Sequence, residues 1–203
     1  MNYLIKQVQL YKFLDYCNEY NLEKNILDCG AGGSYPPLSI FFDEGYKTYG
    51  IEINDLQIEK AMDFSEKHKL ELNITKGDMR CLSFEDNSIS YIYSYNSIFH
   101  MTKKDICKSI EEIKRILRPG GLFCVNFLSI DDDFYGDGKG IGDNEFLQFE
   151  RGEEVIHTYY EPNEAEAHFT DMKVLYKENR LIERIFKGEK IKQGYIDYIV
   201  QKL

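Results

Sequence analysis

The sequence is poor in proline, in positive charge and in long apolar runs, and each shortage argues against a class of protein. Only four of the 203 residues are prolines and 43% are apolar, which fits neither a disordered nor a fibrous chain and allows a sizeable core. The 25 lysines and arginines face 35 acidic residues, so the net charge of -10 weighs against a nucleic-acid partner. No apolar stretch approaches the ~20 residues that span a bilayer and no signal peptide is evident, so we expect a soluble chain without a membrane partner.

Cysteine is also scarce and is not arranged in motifs. The five cysteines are an odd number, are widely spaced and include no C-x-x-C pair, which argues against a disulfide framework and against a structural zinc site. We therefore expect a reduced, cytoplasmic protein. The oligomeric state cannot be inferred from the sequence. The cysteines are Cys17, Cys29, Cys81, Cys107 and Cys124.

Strand-like and helix-like segments alternate along most of the chain, which predicts right-handed βαβ units. We expect one α/β domain over 1–203, Rossmann-like, with a seven-stranded and mostly parallel sheet, an antiparallel last strand and helices on both faces. An amphipathic helix within 1–22 precedes the first strand. The later helices are predicted at 34–44, 54–69, 102–118 and 163–171. The strands are predicted around 26–27 and at 46–53, 71–78, 89–95, 122–128, 173–186 and 194–203, with 187–193 joining the last two.

The alternation is interrupted after the fifth predicted strand. Residues 130–146 are rich in glycine and aspartate and show no periodicity, which indicates a long functional loop. We interpret 129–161 as a mobile lid or substrate loop inserted into the domain. Asp131, Asp132 and Asp133 could suggest a metal site, but three consecutive side chains cannot all face one ion from an extended chain, so no metal is predicted.

The first predicted strand ends in an aspartate and a glycine-rich turn, D-x-G-x-G-G from Asp28 to Gly33. Such a turn lets a ligand approach backbone N–H groups at the start of a helix. A dinucleotide fingerprint would need a third glycine where the sequence has Tyr35, so a nicotinamide-dependent dehydrogenase is a minor alternative. Asp28 would repel a pyrophosphate but attract an ammonium group. Glu52, twenty residues after Gly32, is placed to accept from a ribose diol.

Together with "KGDM" at 76–79 and "LRPGG" at 117–121, these motifs resemble class I S-adenosylmethionine-dependent methyltransferases in order and spacing. The resemblance implies S-adenosylmethionine as the cofactor. It further implies that Gly30 and Gly32 admit the cofactor, that Asp28 holds its amino end and that Glu52 holds its ribose. Asp78 would accept from the adenine amino group. The predicted cofactor-binding residues are Asp28, Gly30, Ala31, Gly32, Glu52, Ile53, Asp78, Met79 and Tyr95.

The methyl acceptor is expected at the end of the fourth strand and in the segment after the fifth. The proline motif that methyltransferases of adenine and glutamine amides carry there is missing, which disfavours those acceptors. The candidate catalytic residues are His100, His157 and Tyr95. A base is needed only when the accepting atom holds its proton tightly, and histidine is then the natural choice near neutral pH. The 129–161 segment loosely resembles that of tellurite-resistance-type methyltransferases and favours a small-molecule acceptor. A protein or RNA methyltransferase and a non-catalytic S-adenosylmethionine-binding module remain alternatives.

Overall fold

The computed structural model describes Tyr3 and residues 5–150, 152–186 and 188–203. The first residues of the predicted helix within 1–22, including Leu4, lie outside the described residues, as do Arg151 and Lys187. The strands are β1 Asn25–Cys29, β2 Lys47–Glu52, β3 Ile74–Lys76, β4 Ile89–Ser94, β5 Leu117–Ser129, β6 Lys139–Gly142, β7 Glu145–Glu150, β8 Glu153–Tyr160, β9 Met172–Phe186 and β10 Glu189–Lys202. The helices are α1 Val8–Tyr20, α2 Leu38–Asp43, α3 Asp55–His68 and α4 Lys103–Ile116, with 3₁₀ turns at Ile98–His100 and Glu164–Phe169.

Seven strands form the central sheet in the order β3-β2-β1-β4-β5-β10-β9. The first five of these are mutually parallel, and β10 runs antiparallel to both of its neighbours. The prediction of a mostly parallel Rossmann-like sheet with an antiparallel last strand is thereby confirmed.

Helices cover both faces of this sheet, because successive strand residues point to opposite sides. On one face Phe13 of α1 and Phe41 of α2 pack in one apolar cluster with Tyr93. On the other face Ile113 of α4 belongs to a second cluster with Ile92. Each fully buried isoleucine or phenylalanine stabilises the fold by roughly 1.5–3 kcal/mol.

The 129–161 segment contains a small antiparallel sheet, β6 to β8, which corrects the prediction of a loop without periodicity over 130–146. β6 pairs with β7 and β7 with β8, while the end of β8 pairs in parallel with the end of β5 at Leu128–Tyr159 and Ser129–Tyr160. β10 pairs with one edge of β5 as far as Leu128, so β8 must pair with the other edge. On that edge β4 pairs with β5 as far as Val125, and β8 pairs with the residues of β5 that follow. The outer halves of β7 and β8 are exposed, so no buried face imposes an alternating pattern on their sequence.

Proline and local packing shift several predicted boundaries. α2 begins at Leu38 rather than at 34, because Pro36 and Pro37 cannot donate and instead supply the carbonyls that Ser39 N–H and Ile40 N–H bind. α4 ends at Ile116, since the residue before Pro119 avoids helical geometry. β10 begins at Glu189, so its connection to β9 is shorter than predicted, and the helix predicted at 163–171 is a 3₁₀ turn. No helix in the described part of the chain is long and apolar enough to cross a membrane.

Candidate functional site

A cavity of about 670 Å³ opens at the carboxyl ends of β1, β2 and β4 and is partly covered by the β7–β8 hairpin. It is the crevice that parallel α/β sheets offer to ligands. Its walls come from the glycine turn, the end of β2, the residues after β3, the residues after β4 and the hairpin. These residues are Gly30, Gly32, Ile51, Glu52, Ile53, Asn54, Gln57, Gly77, Asp78, Met79, Arg80, Asn96, Ser97, His100, Met101, Asp105, Glu150, Glu153, Val155 and Ile156.

The glycine turn is packed too closely to carry side chains. A Cβ on Gly30 would lie 2.5 Å from the Ser97 Cβ, and Gly30 has a φ of +101°, which few residues other than glycine adopt. A Cβ on Gly32 would lie 2.5 Å from the Gln57 Cβ and 2.7 Å from the Glu52 Oε2. The two glycines therefore let the turn pass between the β2 and β4 ends and leave bare backbone at the cavity wall.

Glu52 is fixed at the end of β2 by backbone donors. Its Oε1 accepts from Ile53 N–H and Asn54 N–H, both at 2.9 Å, and its Oε2 accepts from Gly32 N–H at 3.2 Å. Since each carboxylate oxygen has two lone pairs, Oε2 keeps one acceptor position. Glu52 can accept from one ligand hydroxyl directly, whereas a second hydroxyl would have to displace a backbone N–H.

Asp28 lies behind the cavity wall rather than in it. The side chain is 2% exposed, it sits in register with Tyr93 of β4, and its Oδ2 has no hydrogen-bond partner. Burial, and next the charge of nearby Glu52, raise the pKa of Asp28 to about 8. An orphaned carboxylate oxygen beside a second carboxylate is stabilised by a cation. The residues present therefore fit a ligand with an ammonium group and a sulfonium, as S-adenosylmethionine has.

Asp78 lines the cavity after β3, but its carboxylate is bound by Arg80. Arg80 Nη2 lies 2.7 Å from the Asp78 Oδ2, and the hydrogen bonds from Arg80 hold the pKa of Asp78 below its usual range. Arg80 Nη1 also approaches the Asp105 Oδ2 at 3.3 Å. Met79 and Ile53, both predicted to bind the cofactor, also line the cavity and offer it apolar surface.

His100 and His157 come together although 56 residues separate them. Their ring centroids are 4.8 Å apart, but only His100 lines the cavity. Nδ1 of His100 lies 3.3 Å from the Ile156 carbonyl, which can only accept, so Nδ1 carries the proton and Nε2 is free to accept. The protein around the ring, and next His157, lower the pKa of His100 to about 4. Burial also lowers the pKa of His157, whose Nε2 lies 3.5 Å from the Glu150 carboxylate.

Four predicted site residues do not line the cavity: Asp28 and His157, described above, and also Ala31 and Tyr95. Ala31 is fully buried and its Cβ faces β2, where a Cβ on Gly50 would come within 2.6 Å of it. The ring of Tyr95 stacks on Tyr93 with 5.7 Å between centroids, and its hydroxyl accepts from Arg180 at 2.6 Å. The reason is the alternation of side chains along β4, which turns Tyr95 toward the α1 face.

Several residues at the cavity were not predicted. Asn96 and Ser97 come just after β4 and lie near the glycine turn, although they are far from it in sequence. Asp105 is in the first turn of α4 and lies near Arg80, which is also distant in sequence. Glu150 and Glu153 come from the segment that was taken for a loop. The sequence offered one signal for these residues, namely that some of them follow a strand end, and that position does not determine which side chain enters the cavity. No group of three or more histidine, cysteine, aspartate or glutamate side chains in the described residues could hold a metal ion.

Known proteins match both the sequence and the fold. A family model described as a methyltransferase domain matches residues 27–125. The sterol 24-C-methyltransferase of Pneumocystis carinii is 38% identical over 104 residues, which are 49% of this chain and 26% of that protein. The chain thus spans about a quarter of the length of curated relatives that it matches.

Solved structures match over nearly the whole chain. A SAM-dependent methyltransferase from Methanosarcina mazei has a TM-score of 0.71 at 23% identity, covering 93% of this chain and 97% of that one. TehB from Haemophilus influenzae has a TM-score of 0.70 at 15% identity, covering 100% of this chain and 64% of that one. The chain therefore has the class I methyltransferase fold that the resemblance implies, and residues 27–125 match the methyltransferase-domain model. The family model, the Pneumocystis carinii relative and the Methanosarcina mazei protein are all named as methyltransferases.

Proposed function

We propose that the chain is an S-adenosylmethionine-dependent methyltransferase that methylates a small molecule in the cytoplasm, with 1–203 acting as one domain. One observation carries the proposal: a single continuous cavity joins the glycine turn and Glu52 to His100 and the β7–β8 hairpin. A cofactor end and an acceptor end thus share one crevice. The five cysteines are all free, which suits a reducing compartment.

The cofactor end is assigned from the groups that the chain offers. Asp28 would attract the ammonium group from just behind the cavity wall, while the Gly30–Gly32 backbone would hold the methionine part, Glu52 the ribose and Met79 the purine face. When bound, S-adenosylmethionine supplies an electrophilic methyl group on a sulfonium. The chain contributes alignment of the reacting atoms and exclusion of water, which suffice for much of an in-line displacement.

His100 is proposed as the base. Its Nε2 carries a free lone pair at the cavity wall because Nδ1 donates to the Ile156 carbonyl. Since the pKa of His100 is lowered to about 4, the ring is neutral at physiological pH and Nε2 can take the acceptor's proton as the new bond to the methyl group forms. Tyr95 is not proposed again as a catalytic residue, because it lies outside the cavity.

The hairpin favours an enclosed, small acceptor over a protein or an RNA. Thr158 Oγ1 donates to the Met101 carbonyl at 2.6 Å and so ties β8 to the residues after β4. The matched relatives are named for sterols, which makes a sterol one candidate acceptor. However, the family match ends at residue 125, before the hairpin, and Glu150 and Glu153 line the acceptor end, which favours an acceptor with a polar group.

Calorimetry with S-adenosylmethionine and its demethylated product tests the cofactor assignment, and labelled cofactor with a panel of small acceptors tests the reaction. We expect both cofactor forms to bind and at least one acceptor to be methylated. No binding of either form at millimolar concentration would contradict the proposal. Binding without methylation of any small, protein or RNA acceptor would instead identify a non-catalytic module.

The variant His100→Gln tests the base. We expect kcat to fall about 100-fold while the Kd of the cofactor is unchanged, because His100 acts on the acceptor. The wild-type rate should be constant above about pH 5 and fall below it, since the base must be deprotonated and its pKa is about 4. His68→Gln, at the end of α3 and outside the cavity, serves as the control. A rate that His100→Gln leaves unchanged excludes this role.

A further inference from the structure

Asp78, the carboxylate that the resemblance to class I methyltransferases assigns to the purine amino group, already binds an arginine. Asp78 Oδ1 accepts from the Arg80 backbone N–H at 2.8 Å and from Nε at 3.0 Å. Asp78 Oδ2 accepts from Nε at 3.0 Å and from Nη2 at 2.7 Å. A carboxylate offers about four lone-pair positions. Three N–H groups of Arg80, with the Nε proton shared between both oxygens, thus cover these positions, and an amino group would have to displace one of them.

A guanidinium cannot stand in for the carboxylate, because it only donates hydrogen bonds. As the structure stands, this end of the cavity presents donors. Donors suit a purine with an oxygen at position 6 and oppose one with an amino group there. The adenine of the proposed cofactor therefore needs Arg80 to leave Asp78.

A second carboxylate is within reach of the same guanidinium. Arg80 Nη1 lies 3.3 Å from the Asp105 Oδ2, and Asp105 is itself held in the first turn of α4 by the hydroxyl of Thr102 at 3.2 Å. The side chains of Asp78, Arg80 and Asp105 are each about one-third exposed and all three line the cavity. The guanidinium can thus turn from one carboxylate to the other without opening the core.

We infer that Arg80 is a positioning residue for the cofactor's purine: its guanidinium covers Asp78 in the free protein and turns to Asp105 on binding, which frees Asp78 to accept from the purine amino group. The inference rests on the proposed function and adds to it a residue that sets which purine is bound. Arg80 lowers affinity slightly, because binding must first displace it, and Asp105 recovers part of that loss.

A double-mutant cycle with Arg80→Gln and Asp105→Asn tests the exchange, with Kd for S-adenosylhomocysteine measured by calorimetry. Arg80→Gln should tighten binding about fivefold, the size expected for a partly exposed charged pair. Asp105→Asn should weaken binding about threefold in the wild-type background and have no effect beside Arg80→Gln, since Asp105 acts only through the arginine. Arg80→Lys keeps the positive charge but loses the two-pronged donor geometry of the guanidinium, so it should tighten binding about twofold.

A second purine separates this role from a merely structural one. S-inosylhomocysteine carries an oxygen where the adenine has its amino group, so Arg80→Gln should weaken its binding while tightening that of S-adenosylhomocysteine. Arg118→Gln is the matched control, because Arg118 pairs with Glu23 at 2.8 Å outside the cavity, and it should change neither Kd. Thermal unfolding confirms that each variant is folded.

The outcomes distinguish the inference from the function. If the wild type binds neither compound, the proposed function fails and the inference fails with it. If the wild type binds S-adenosylhomocysteine but Arg80→Gln weakens that binding or leaves it unchanged, or if the effects of Asp105→Asn and Arg80→Gln are additive, only the inference is overturned.

Discussion

At the scale of single residues, the cavity is organised around an acid that has no partner of its own. Asp28 lies one residue before the end of the buried strand β1, its Oδ2 is unpartnered and its pKa is raised to about 8. An ionised carboxylate is costly in such a place, so the free protein favours the protonated form near neutral pH. A cationic ligand would reverse that preference. On this account, cofactor binding releases a proton from Asp28 below about pH 8.

The variant Asp28→Asn should therefore change how stability depends on pH. Between about pH 4 and pH 8 the folded protein holds a proton on Asp28 that the unfolded chain has lost, so wild-type stability falls as pH rises through this range. Asparagine does not titrate, so the Tm gain of Asp28→Asn over wild type should be several degrees larger at pH 8.5 than at pH 5.5, by calorimetry. Cofactor binding should be lost.

Asp171→Asn is the control, because the pKa of Asp171 is shifted in the opposite direction from that of Asp28. Hydrogen bonding to Lys114 lowers the pKa of Asp171, so this carboxylate stabilises the folded protein above its unfolded pKa. Asp171→Asn should give no gain in Tm at pH 8.5. Equal Tm differences at both pH values for Asp28→Asn would show that Asp28 titrates normally.

Sequence motifs predict the cofactor side of the cavity better than its other walls. Gly32 and Glu52 could be predicted because a tight turn and a strand end each restrict what fits there. Tyr95 was misplaced because it continues the side-chain alternation of β4, in which Tyr93 and Tyr95 face α1 rather than the cavity. Ser97 and Arg80 could not be predicted, since their roles depend on contacts between distant segments.

At the scale of elements, the β7–β8 hairpin is bonded to the residues that follow β4. Thr158 is fully buried and its hydroxyl binds the Met101 carbonyl at 2.6 Å, and the backbone N–H of Lys103 donates to Glu145 at 2.5 Å. These bonds join the hairpin to the segment that carries His100. The hairpin and the proposed base are therefore positioned together.

The variant Thr158→Val should loosen this attachment. The substitution keeps the shape of the side chain but leaves the Met101 carbonyl without its donor, at a cost of about 1–3 kcal/mol. We expect faster hydrogen exchange across 145–160 and a slower methyl transfer, with exchange in β1 and β4 unchanged. Thr170→Val, at an exposed position, should leave exchange unaltered. Unchanged exchange in Thr158→Val would mean that the hydroxyl is not what holds the hairpin.

The elements of the central sheet could be predicted because their burial leaves a mark on the sequence. β4 and the core of β5 are continuous runs of buried residues, and α4 carries Ile106, Ile110 and Ile113 on one face. β6, β7 and β8 lack such a mark because much of their surface faces solvent. Their strands are specified by pairing with one another and with β5, which a single sequence does not display.

At the scale of the whole molecule, the excess of acidic residues extends into the cavity. Five acids and one arginine line it, in a chain of net charge -10. Such a field attracts cations and is weakened by salt. The lining acids are Glu52, Asp78, Asp105, Glu150 and Glu153.

Salt should therefore weaken the binding of S-adenosylmethionine, whose sulfur is positively charged, more than that of S-adenosylhomocysteine, whose sulfur is neutral. Raising the salt from about 0.01 M to about 1 M shortens the screening length from about 30 Å to about 3 Å. We expect the Kd of S-adenosylmethionine to rise about fivefold more than that of S-adenosylhomocysteine, by calorimetry at matched pH. Adenosine, which lacks the sulfonium and the charged amino-acid end, is the control for general salt effects. Parallel salt curves for the two cofactor forms would rule out an electrostatic role for the acids.

The pairing of the end of β8 with the end of β5 affects how the hairpin segment can vary in sequence and length. The segment leaves the sheet after Ser129 and returns beside that same residue through Tyr160, so both of its ends are fastened at one place. A hairpin of another length or composition can be grafted there without shifting any strand of the central sheet. On the proposed function, the preference for an acceptor can drift between lineages while the crevice for the cofactor is inherited unchanged.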